Sequence, residues 1–433
     1  MKIFGWGRYP SIDSQVLLPQ TLVDCADLLK TNQIVLPRGM GRSYGDSANS
    51  LTVIESRYLN RFINFDESTG ILNCEAGLSI REIIQLTVPK GWFLPVTPGT
   101  SFVTVGGAIA SDVHGKNHHL SGTFSTHLLS FELLLGTGDI VNVTKDSYPE
   151  LFRATCGGMG LTGIILSISI QLKRIHSSQI IQTTIKANCL EEVCEQFEKN
   201  KDSTYSVAWI DCLSKGKKLG RSLLMLGVHS NVGVLEIKKQ KSLSLSIDLP
   251  QWFLNHHSIK VFNALYFHKV SSKLKTKVIP LESYFYPLDM IADWNRLYGN
   301  SGFVQYQFVL PKAAGVKGMR KILEVIVNSG KGSFLAVLKA FGTANENFLS
   351  FPMEGYTLAL DFKISEEVFQ LVKQLDSLVV DMGGRIYLTK DALMTESFFK
   401  RTYPQWENFE EVRAKYGAIG KFASSQSKRL GLQ

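Results

Sequence analysis

The sequence predicts an α+β protein built from two lobes. At 433 residues the chain is too long for one ordinary hydrophobic core, because domains usually have about 100–200 residues. Its character changes near residue 176, with glycine-punctuated β-branched runs before that point and longer helices with clustered lysines after it. Hydrophobic residues make up 44% and charged residues 20%, which excludes a disordered or coiled-coil chain.

The first 176 residues are rich in short β-branched runs, which predict strands. One helix is expected at residues 79–86, because Ser79 is of a type that caps helix N-termini. Glycine is dense from Gly39 to Gly163, so loops are expected to do much of the binding in this lobe. The predicted strands are residues 34–36, 51–55, 71–76 and 161–172.

Helices become longer in the second part of the chain. The clearest is residues 365–382, where apolar residues repeat at i, i+3, i+4 and i+7 from Val368 and a glycine pair follows. A second, apolar helix candidate covers residues 249–267, and the tail from residue 392 is predicted to be helical. The predicted strands are residues 205–211, 304–310, 356–362 and 385–388.

Membrane-spanning, secreted and metal-binding classes are not favoured. No apolar run reaches the roughly 18 residues of a spanning helix, and the N-terminus lacks the apolar core of a signal peptide. Six cysteines without a CxxC pair predict reduced thiols in a cytosol-like compartment. His114 and His118 have the spacing of zinc ligands, but Gly115 weakens a helix there and no HExxH glutamate is present, so we expect no metal.

The net charge of +9 is concentrated in one segment. Residues 214–277 contain twelve Lys and Arg but only Glu236 and Asp248, so the local charge is +10. Aromatic residues, among them Trp252 and Phe253, are interleaved with the basic ones. This pattern favours contact with an anionic membrane surface over a duplex groove, and no nucleic-acid partner is expected. A solvated loop beside a core helix is the alternative, and this segment taken alone favours it.

Two glycine segments bear on phosphate binding. Residues 37–45 (PRGMGRSYG) follow a predicted strand, and their glycines could let backbone N–H groups approach a phosphate, although an ordinary turn explains them equally well. Residues 158–163 match the G-x-G-x-x-G spacing, but a β-branched run follows where a dinucleotide-binding Rossmann unit needs a helix. A Rossmann unit is therefore excluded.

Polar groups are densest between residues 98 and 119. A glycine pair precedes the run HGKNHH at residues 114–119, which places three histidines and a lysine within six positions. Glycines that allow close backbone approach, followed by polar side chains, fit a large planar anionic cofactor. For His118 and His119 a structural hydrogen bond is as good an explanation as a direct role.

Taken together, these motifs resemble a known family. The loop at 37–45, the glycine pair after Val105 and the glycines before the strand at 164 resemble the FAD-binding (PCMH-type) domain of the vanillyl-alcohol oxidase / p-cresol methylhydroxylase superfamily. Within it, RSYGD at 42–46, HGKNHH at 114–119, QYQ at 305–307 and YLTKD at 387–391 are similar to the family of decaprenylphosphoryl-β-D-ribose 2′-oxidases. The similarity covers almost the whole chain. It implies an FAD lobe at residues 1–176 completed by 385–433, and a substrate lobe at 177–384 built on an antiparallel sheet.

The resemblance also implies roles for individual residues. Lys390 and His114 are implied as catalytic, with Lys390 placed to stabilise charge on the reduced flavin or to exchange a proton. The residues implied to hold FAD are Pro37, Arg38, Gly39, Met40, Gly41, Arg42, Ser43, Tyr44, Gly45, Asp46, Ser47, Gly99, Thr104, Val105, Gly106, Gly107, Ser111, Asp112, Val113, His114, Ile164 and Tyr387. Those implied to surround the substrate are Lys116, Tyr286, Gln305, Gln307, Lys339 and Trp209, with Phe341 and Ala359 farther along.

Two positions depart from the pattern of relatives. Arg42 stands where members with covalent FAD have a histidine, so dissociable, non-covalent FAD is implied. Ala359 stands where some members have a cysteine, which argues against thiol-directed inhibition but leaves the reaction unaffected.

The implied activity is oxidation of a polyprenyl-phosphate pentose at C2′ to the 2-keto sugar. A partner keto-reductase would then complete epimerisation to the arabinose form. The implied location is cytoplasmic and peripheral at the inner membrane. The alternatives are an aldonolactone or sugar-alcohol oxidase acting on a soluble sugar, and a non-enzymatic basic protein that binds membrane or nucleic acid.

Overall fold

The computed structural model describes residues 1–237, 243–245, 247–250 and 254–432. Helices α1 to α13 are Leu22–Thr31, Ile80–Thr87, Val105–Ala110, His118–Ser121, Pro149–Thr155, Leu190–Lys199, His256–His268, Leu281–Phe285, Gly315–Ser329, Glu366–Asp381, Glu396–Thr402, Trp406–Lys415 and Ser425–Arg429. Strands β1 to β22 are Lys2–Phe4, Ser11–Asp13, Gln15–Leu17, Leu36–Arg38, Thr52–Glu55, Phe62–Asp66, Ile71–Glu75, Trp92–Phe93, Leu128–Leu134, Ile140–Val143, Ile164–Gln171, Lys173–Arg174, Gln179–Ala187, Tyr205–Ile210, Ser222–His229, Leu243–Ser244, Leu274–Pro280, Ile291–Ala292, Phe303–Pro311, Val337–Phe341, Gly355–Lys363 and Arg385–Ile386.

The described first 176 residues contain four sheets, of which β1-β2 and β12-β8 have only two strands each. Strands β3, β5 and β4 form a parallel sheet, and an antiparallel sheet has the order β10-β9-β11-β7-β6. Strand β11 has the largely apolar sequence IILSISIQ and lies at the centre of this five-stranded sheet, where six of its eight residues are buried. Thr21 and Ser79 cap α1 and α2 with capping boxes, which satisfies N–H groups that would otherwise lack partners.

The second lobe is built on one eight-stranded antiparallel sheet. Its order is β17-β13-β15-β14-β20-β21-β19-β22, and α6, α9 and α10 pack against it. Side chains alternate between the two faces of each strand. Phe308, Leu358 and Leu338 point to the helix side and join the core, whereas Gln307, Ala359 and Val337 line a cavity on the other face.

The C-terminal tail returns to the first lobe. Val35 bridges to Phe422 in parallel, and the Val35 N–H donates to the Lys421 carbonyl at 2.9 Å. The Arg429 guanidinium bonds to Asp46 and Asp391. Residues more than 380 positions apart in sequence are therefore held together next to the first glycine loop.

The predicted α+β class and most predicted elements are confirmed, and a few ends are wrong. The first predicted strand lies two residues too early, because Val35 pairs with the tail and the sheet begins at Leu36. The long strand begins at Ile164, not residue 161, because residues 158–161 form a turn in which the Leu161 N–H donates to the Gly158 carbonyl. The strand predicted at 385–388 ends at Ile386.

The helices predicted at residues 79–86 and 365–382 are confirmed. Ser79 and Ser365 are the N-caps of α2 and α10. The helix candidate at 249–267 is observed as His256–His268, and Trp252 and Phe253 lie outside the described residues. All six cysteines are free thiols. In the described part of the chain, no helix combines the length and apolarity that crossing a bilayer requires.

Candidate active site

A cavity of about 1350 Å³ lies between the glycine loops of the first lobe and the open sheet face of the second. That volume exceeds the roughly 300–1,000 Å³ of ordinary small-molecule pockets, so the cavity can hold a large cofactor together with a substrate. The three glycine segments singled out from the sequence all contribute to one wall. The opposite wall is formed by β13, β14, β15, β19, β20 and β21.

The glycine wall is shaped by close contacts between its loops. A Cβ atom added to Gly39 would lie 2.3 Å from the Thr104 Oγ1 atom, so only glycine lets the first loop reach the second. Thr104 in turn caps α3, accepting a hydrogen bond from the Gly107 N–H at 3.1 Å. Met40, Arg42 and other first-loop residues then face the cavity.

Lys390 reaches the cavity because the tail is clamped onto the first loop. The Tyr44 N–H donates to the Thr389 carbonyl at 2.9 Å, and a Cβ added to Gly45 would lie 1.8 Å from the Asp391 carbonyl oxygen. Gly45 is thus required for this close approach. Lys390 lies between these two contacts, with Nζ 3.6 Å from the centre of the Tyr44 ring.

A buried carboxylate lies close to Lys390. Asp361 is 1% exposed and accepts a hydrogen bond from the Gln305 side-chain amide, while its second oxygen has no partner among the described residues. Burial raises the pKa of Asp361 to about 7. Desolvation lowers the pKa of Lys390 to about 7, opposed by the charge of Asp361. Near neutral pH, Lys390 can therefore either hold or accept a proton.

Two further lysines are enclosed in the same cavity. Burial lowers the pKa of Lys116 to about 7, aided by the charge of Lys339, and burial lowers the pKa of Lys339 to about 8. Both side chains keep some exposure to the space of the cavity. Lys116 Nζ donates to the Tyr284 carbonyl. Three lysines and one acid make this region attractive to an anionic ligand.

His114 is positioned by the sheet of the second lobe. The Gln307 amide nitrogen donates to its Nε2 atom at 3.1 Å, and Gln307 also donates to the Thr357 hydroxyl at 3.3 Å. This arrangement places the ring proton on Nδ1, which has no partner among the described residues. Burial and the nearby Lys339 hold the pKa of His114 well below its usual value, so the ring is neutral.

Most of the residues implied by the resemblance line the cavity, and some do not. The implied residues that are not among the lining residues are Gly45, Asp46, Val105, Asp112, Tyr286 and Phe341. Their contacts are structural: Asp46 binds Arg429, Asp112 accepts from the Ser350 hydroxyl, and the Tyr286 hydroxyl bonds to Thr97.

Three other residues from the predicted set also have structural contacts. The Arg38 guanidinium faces away into the protein, where it donates to the carbonyls of Ala48 and Phe4. His118 accepts from the Gly342 N–H, and His119 Nε2 bonds to the Ser203 carbonyl. Among the described residues, no group of His, Cys, Asp or Glu is arranged to hold a metal ion.

The polar and charged groups in the wall of the cavity are suited to binding FAD. Arg42 Nε, Ser43 Oγ and His114 Nδ1 are buried, lie in residues that line the cavity, and lack hydrogen-bond partners among the described residues. Buried polar atoms are normally satisfied, so their partners are expected on a ligand. The Arg42 guanidinium, 4.2 Å from the centre of the Trp6 ring, adds positive charge for a pyrophosphate.

Asp361 is the residue that sequence reasoning missed. Its only signal is position: it continues the alternation of Thr357 and Ala359, so all three lie on one face of β21. Nothing in that alternation indicates that the carboxylate interacts electrostatically with Lys390, because the tail that carries Lys390 is placed by tertiary contacts.

Comparison with known proteins agrees with this geometry. Residues 14–144 match a family described as an FAD binding domain. The chain is 36% identical to decaprenylphosphoryl-β-D-ribose oxidase of Mycolicibacterium smegmatis, covering 100% of this chain and 97% of that protein. It is 28% identical to an uncharacterized protein of Streptomyces coelicolor over 82% of this chain and 100% of that protein. L-gulonolactone oxidase of Bos taurus is 26% identical over 47% of each chain.

Proposed function

The chain belongs to the family of decaprenylphosphoryl-β-D-ribose oxidases, and from that premise we propose that it oxidises the C2′ hydroxyl of a pentose carried on a polyprenyl phosphate. It is an FAD-dependent oxidoreductase. The product would be the 2-keto sugar, which a partner keto-reductase would reduce to the arabinose epimer. The observation that carries the proposal is the cluster of enclosed lysines at the junction of the glycine wall and the sheet face.

Residues of the glycine wall would hold the cofactor. The backbone of residues 39–43, Thr104, Gly107 and the neutral His114 face the space that it would occupy. When bound, FAD would accept the hydride that leaves the alcohol carbon. Arg42 is placed to compensate the negative charge of the cofactor's phosphates.

Proton transfer would fall to Lys390. Oxidation of an alcohol releases the hydroxyl proton, and a base whose pKa lies near the working pH takes it up best. The pKa of Lys390, lowered by burial to about 7, meets that condition. Gln305, which is bound to Asp361, lies on the cavity face of β19 and can orient the sugar hydroxyls.

The remaining two lysines would recognise the phosphate. A phosphodiester attached to C1′ lies next to the reacting C2′, so its charge must be compensated close to the flavin. Lys116 and Lys339 are enclosed there, and the Coulomb interaction between them lowers the pKa of Lys116. A bound anion would relieve that repulsion. Their charges favour a sugar phosphate over an uncharged sugar.

The experiment is anaerobic bleaching of the yellow protein by candidate substrates. A ribose attached to a polyprenyl phosphate should bleach the flavin absorbance at micromolar concentration, whereas free ribose should not. Rapid bleaching by an aldonolactone, with none by the lipid-linked sugar, would instead support the second candidate, an aldonolactone oxidase. The similarity to L-gulonolactone oxidase over 47% of the chain is the observation that favours that candidate.

We also infer peripheral contact with an anionic membrane, since a polyprenyl-phosphate substrate resides in a bilayer. The described part of the basic segment at residues 214–277 supports this. Lys269, Lys275 and Lys277 are exposed around the cavity, and Val261 and Leu265 of α7 are exposed beside them. The location at the inner membrane stays a proposal.

A further inference from the structure

The cavity continues well beyond the lysine cluster, over the sheet of the second lobe. Its floor is the face of the sheet from β20 to β13, where every second side chain of each strand points into the cavity. Most of these side chains are apolar. The floor residues are Val337, Trp209, Val207, Leu223, Met225 and Thr184. A sugar phosphate bound at Lys339 would leave this half of the cavity empty, so it needs an occupant of its own.

The register of the sheet gives the length of this half. Lys275 pairs with Thr184, Thr184 with Met225, and Met225 with Val207, so these side chains form one row across β17, β13, β15 and β14. Lys339 lies on the next strand, β20. Neighbouring strands are about 4.8 Å apart, so the four steps from Lys339 to Lys275 cover about 19 Å. The floor is therefore long and narrow.

Helix α7 forms one side of the far opening. The rings of Phe262 and Tyr266 stack with centres 5.7 Å apart and line the cavity. On the adjoining stripe of the helix, Val261 and Leu265 are 59% and 69% exposed. Helix α7 thus carries apolar side chains both in the lining of the cavity and on the outer surface beside it.

Lysines surround the same opening. Lys269 follows α7, and Lys275 and Lys277 lie on the edge strand β17 opposite it. All three are exposed and line the cavity, and none forms an ion pair within the described ranges. Lysine on an edge strand also discourages strand pairing. That role does not explain Lys269, which follows α7, or the exposed Val261 and Leu265.

We propose that this half of the cavity is a channel for the isoprenoid tail of the substrate, and that the tail leaves the protein between α7 and β17. The inference rests on the proposed function, because it presupposes a polyprenyl-phosphate sugar. Val261 and Leu265 would enter the apolar layer of the bilayer, and Lys269, Lys275 and Lys277 would contact anionic headgroups. The sugar then reaches the flavin while the tail remains in apolar surroundings throughout.

The test compares ribosyl phosphates esterified with methyl, geranyl, farnesyl and decaprenyl groups. Wild-type kcat/KM should rise with tail length. Met225→Trp, which fills the channel floor, should lower kcat/KM about tenfold for the prenyl esters, because it excludes about two buried CH₂ groups, and far less for the methyl ester. Val228→Trp is the matched control, since Val228 lies on the opposite face of β15 and is 39% exposed.

The outcomes separate the channel from the reaction. If the wild type oxidises no ribosyl phosphate, the proposed function fails. If it oxidises all the esters with equal kcat/KM, or if Met225→Trp lowers all of them equally, the channel is refuted. A measurement on the wild type guards against misfolding of the variant: a farnesyl ester with a terminal diazirine should label peptides containing residues 256–268 or 274–280. Labelling confined to the first lobe would overturn the proposal.

Discussion

Lys390 and Asp361 lie in one enclosed region, where the charge of Asp361 raises the pKa of Lys390 and the charge of Lys390 lowers the pKa of Asp361. Lys390→Ala removes the proposed base. Loss of a proton-transfer or charge-stabilising group costs about 10²–10⁴-fold, so substrate-dependent flavin reduction should fall by that factor. Stopped-flow single-turnover reduction measures it, with the exposed Lys428→Ala as control. A rate within a few-fold of wild type would show that Lys390 is not needed for chemistry.

Asp361→Asn tests the same pair through pH. If neutral Lys390 is the base, the wild-type reduction rate rises with pH through the lysine's pKa of about 7. The Asp361 carboxylate raises the pKa of Lys390, so removing its charge lowers that pKa and moves the rise to lower pH. The pH–rate profile of single-turnover reduction measures this shift, with Asp381→Asn as an exposed control. An unshifted profile would contradict the coupling.

At the scale of elements, Arg429 of α13 holds the C-terminal tail against the first loop through two ion pairs, which we call the Arg429 clip. The Arg429 side chain contacts Asp46 at 2.7 Å and Asp391 at 2.8 Å, and both carboxylates are 4% exposed. Arg429→Ala leaves two buried carboxylates unpaired, which costs about 3 kcal/mol. We expect a lower Tm and weaker FAD retention, because Lys390 and Tyr44 lose their support. Calorimetry and flavin release on dilution measure both effects.

The control for the clip is Lys428→Ala on the same helix. Lys428 is exposed and adjacent to Arg429 in sequence. If both variants lower the Tm equally, the loss of stability comes from a disturbed helix and not from the missing Arg429 ion pairs.

We expect the exposed apolar residues of α7 to be required for binding to a membrane. The double variant Val261→Ser/Leu265→Ser removes the exposed apolar stripe, so flotation with anionic vesicles should weaken strongly. Wild-type binding should fall as salt is added, because lysine contacts are screened within a Debye length. The matched control is Leu129→Ser/Ile140→Ser, which removes exposed apolar residues from the first lobe. Wild-type protein that stays at the bottom of the gradient would refute membrane contact.

On the scale of the whole molecule, cofactor attachment is a single testable property. Arg42 stands in the first loop where a flavin-linked histidine would be needed, and residues 37–45 contain no histidine. Acid precipitation should therefore release the flavin into the supernatant. Yellow colour that remains in the protein pellet would demonstrate a covalent link.

The C-terminal tail contacts both lobes within a few residues. Arg385 and Ile386 pair with β19 in the sheet of the second lobe, whereas the Thr389 carbonyl accepts a hydrogen bond from the Tyr44 N–H of the first loop. The tail thus joins the two walls of the cavity within a few residues, and Lys390 lies at that junction. The proposed boundaries at 176 and 384 stay predictions.

The sequence by itself determined the features that depend on near neighbours. The serine cap of α2 and the apolar period of α10 each act within a few residues, and the structure has them where they were expected. The resemblance of four short motifs also indicated the cofactor and the enzyme class, because the residues around a flavin follow recognisable patterns.

Tertiary structure alone decided which groups meet and how they titrate. His114 and Gln307 are 193 positions apart, and Asp361 and Lys390 interact electrostatically only in the assembled fold. The end of β22 at Ile386 likewise reflects the Lys390 and Asp391 N–H groups bonding back to the Tyr387 carbonyl. Burial and charge coupling set the pKa values of the site, and both are properties of the assembled cavity, which no local pattern encodes.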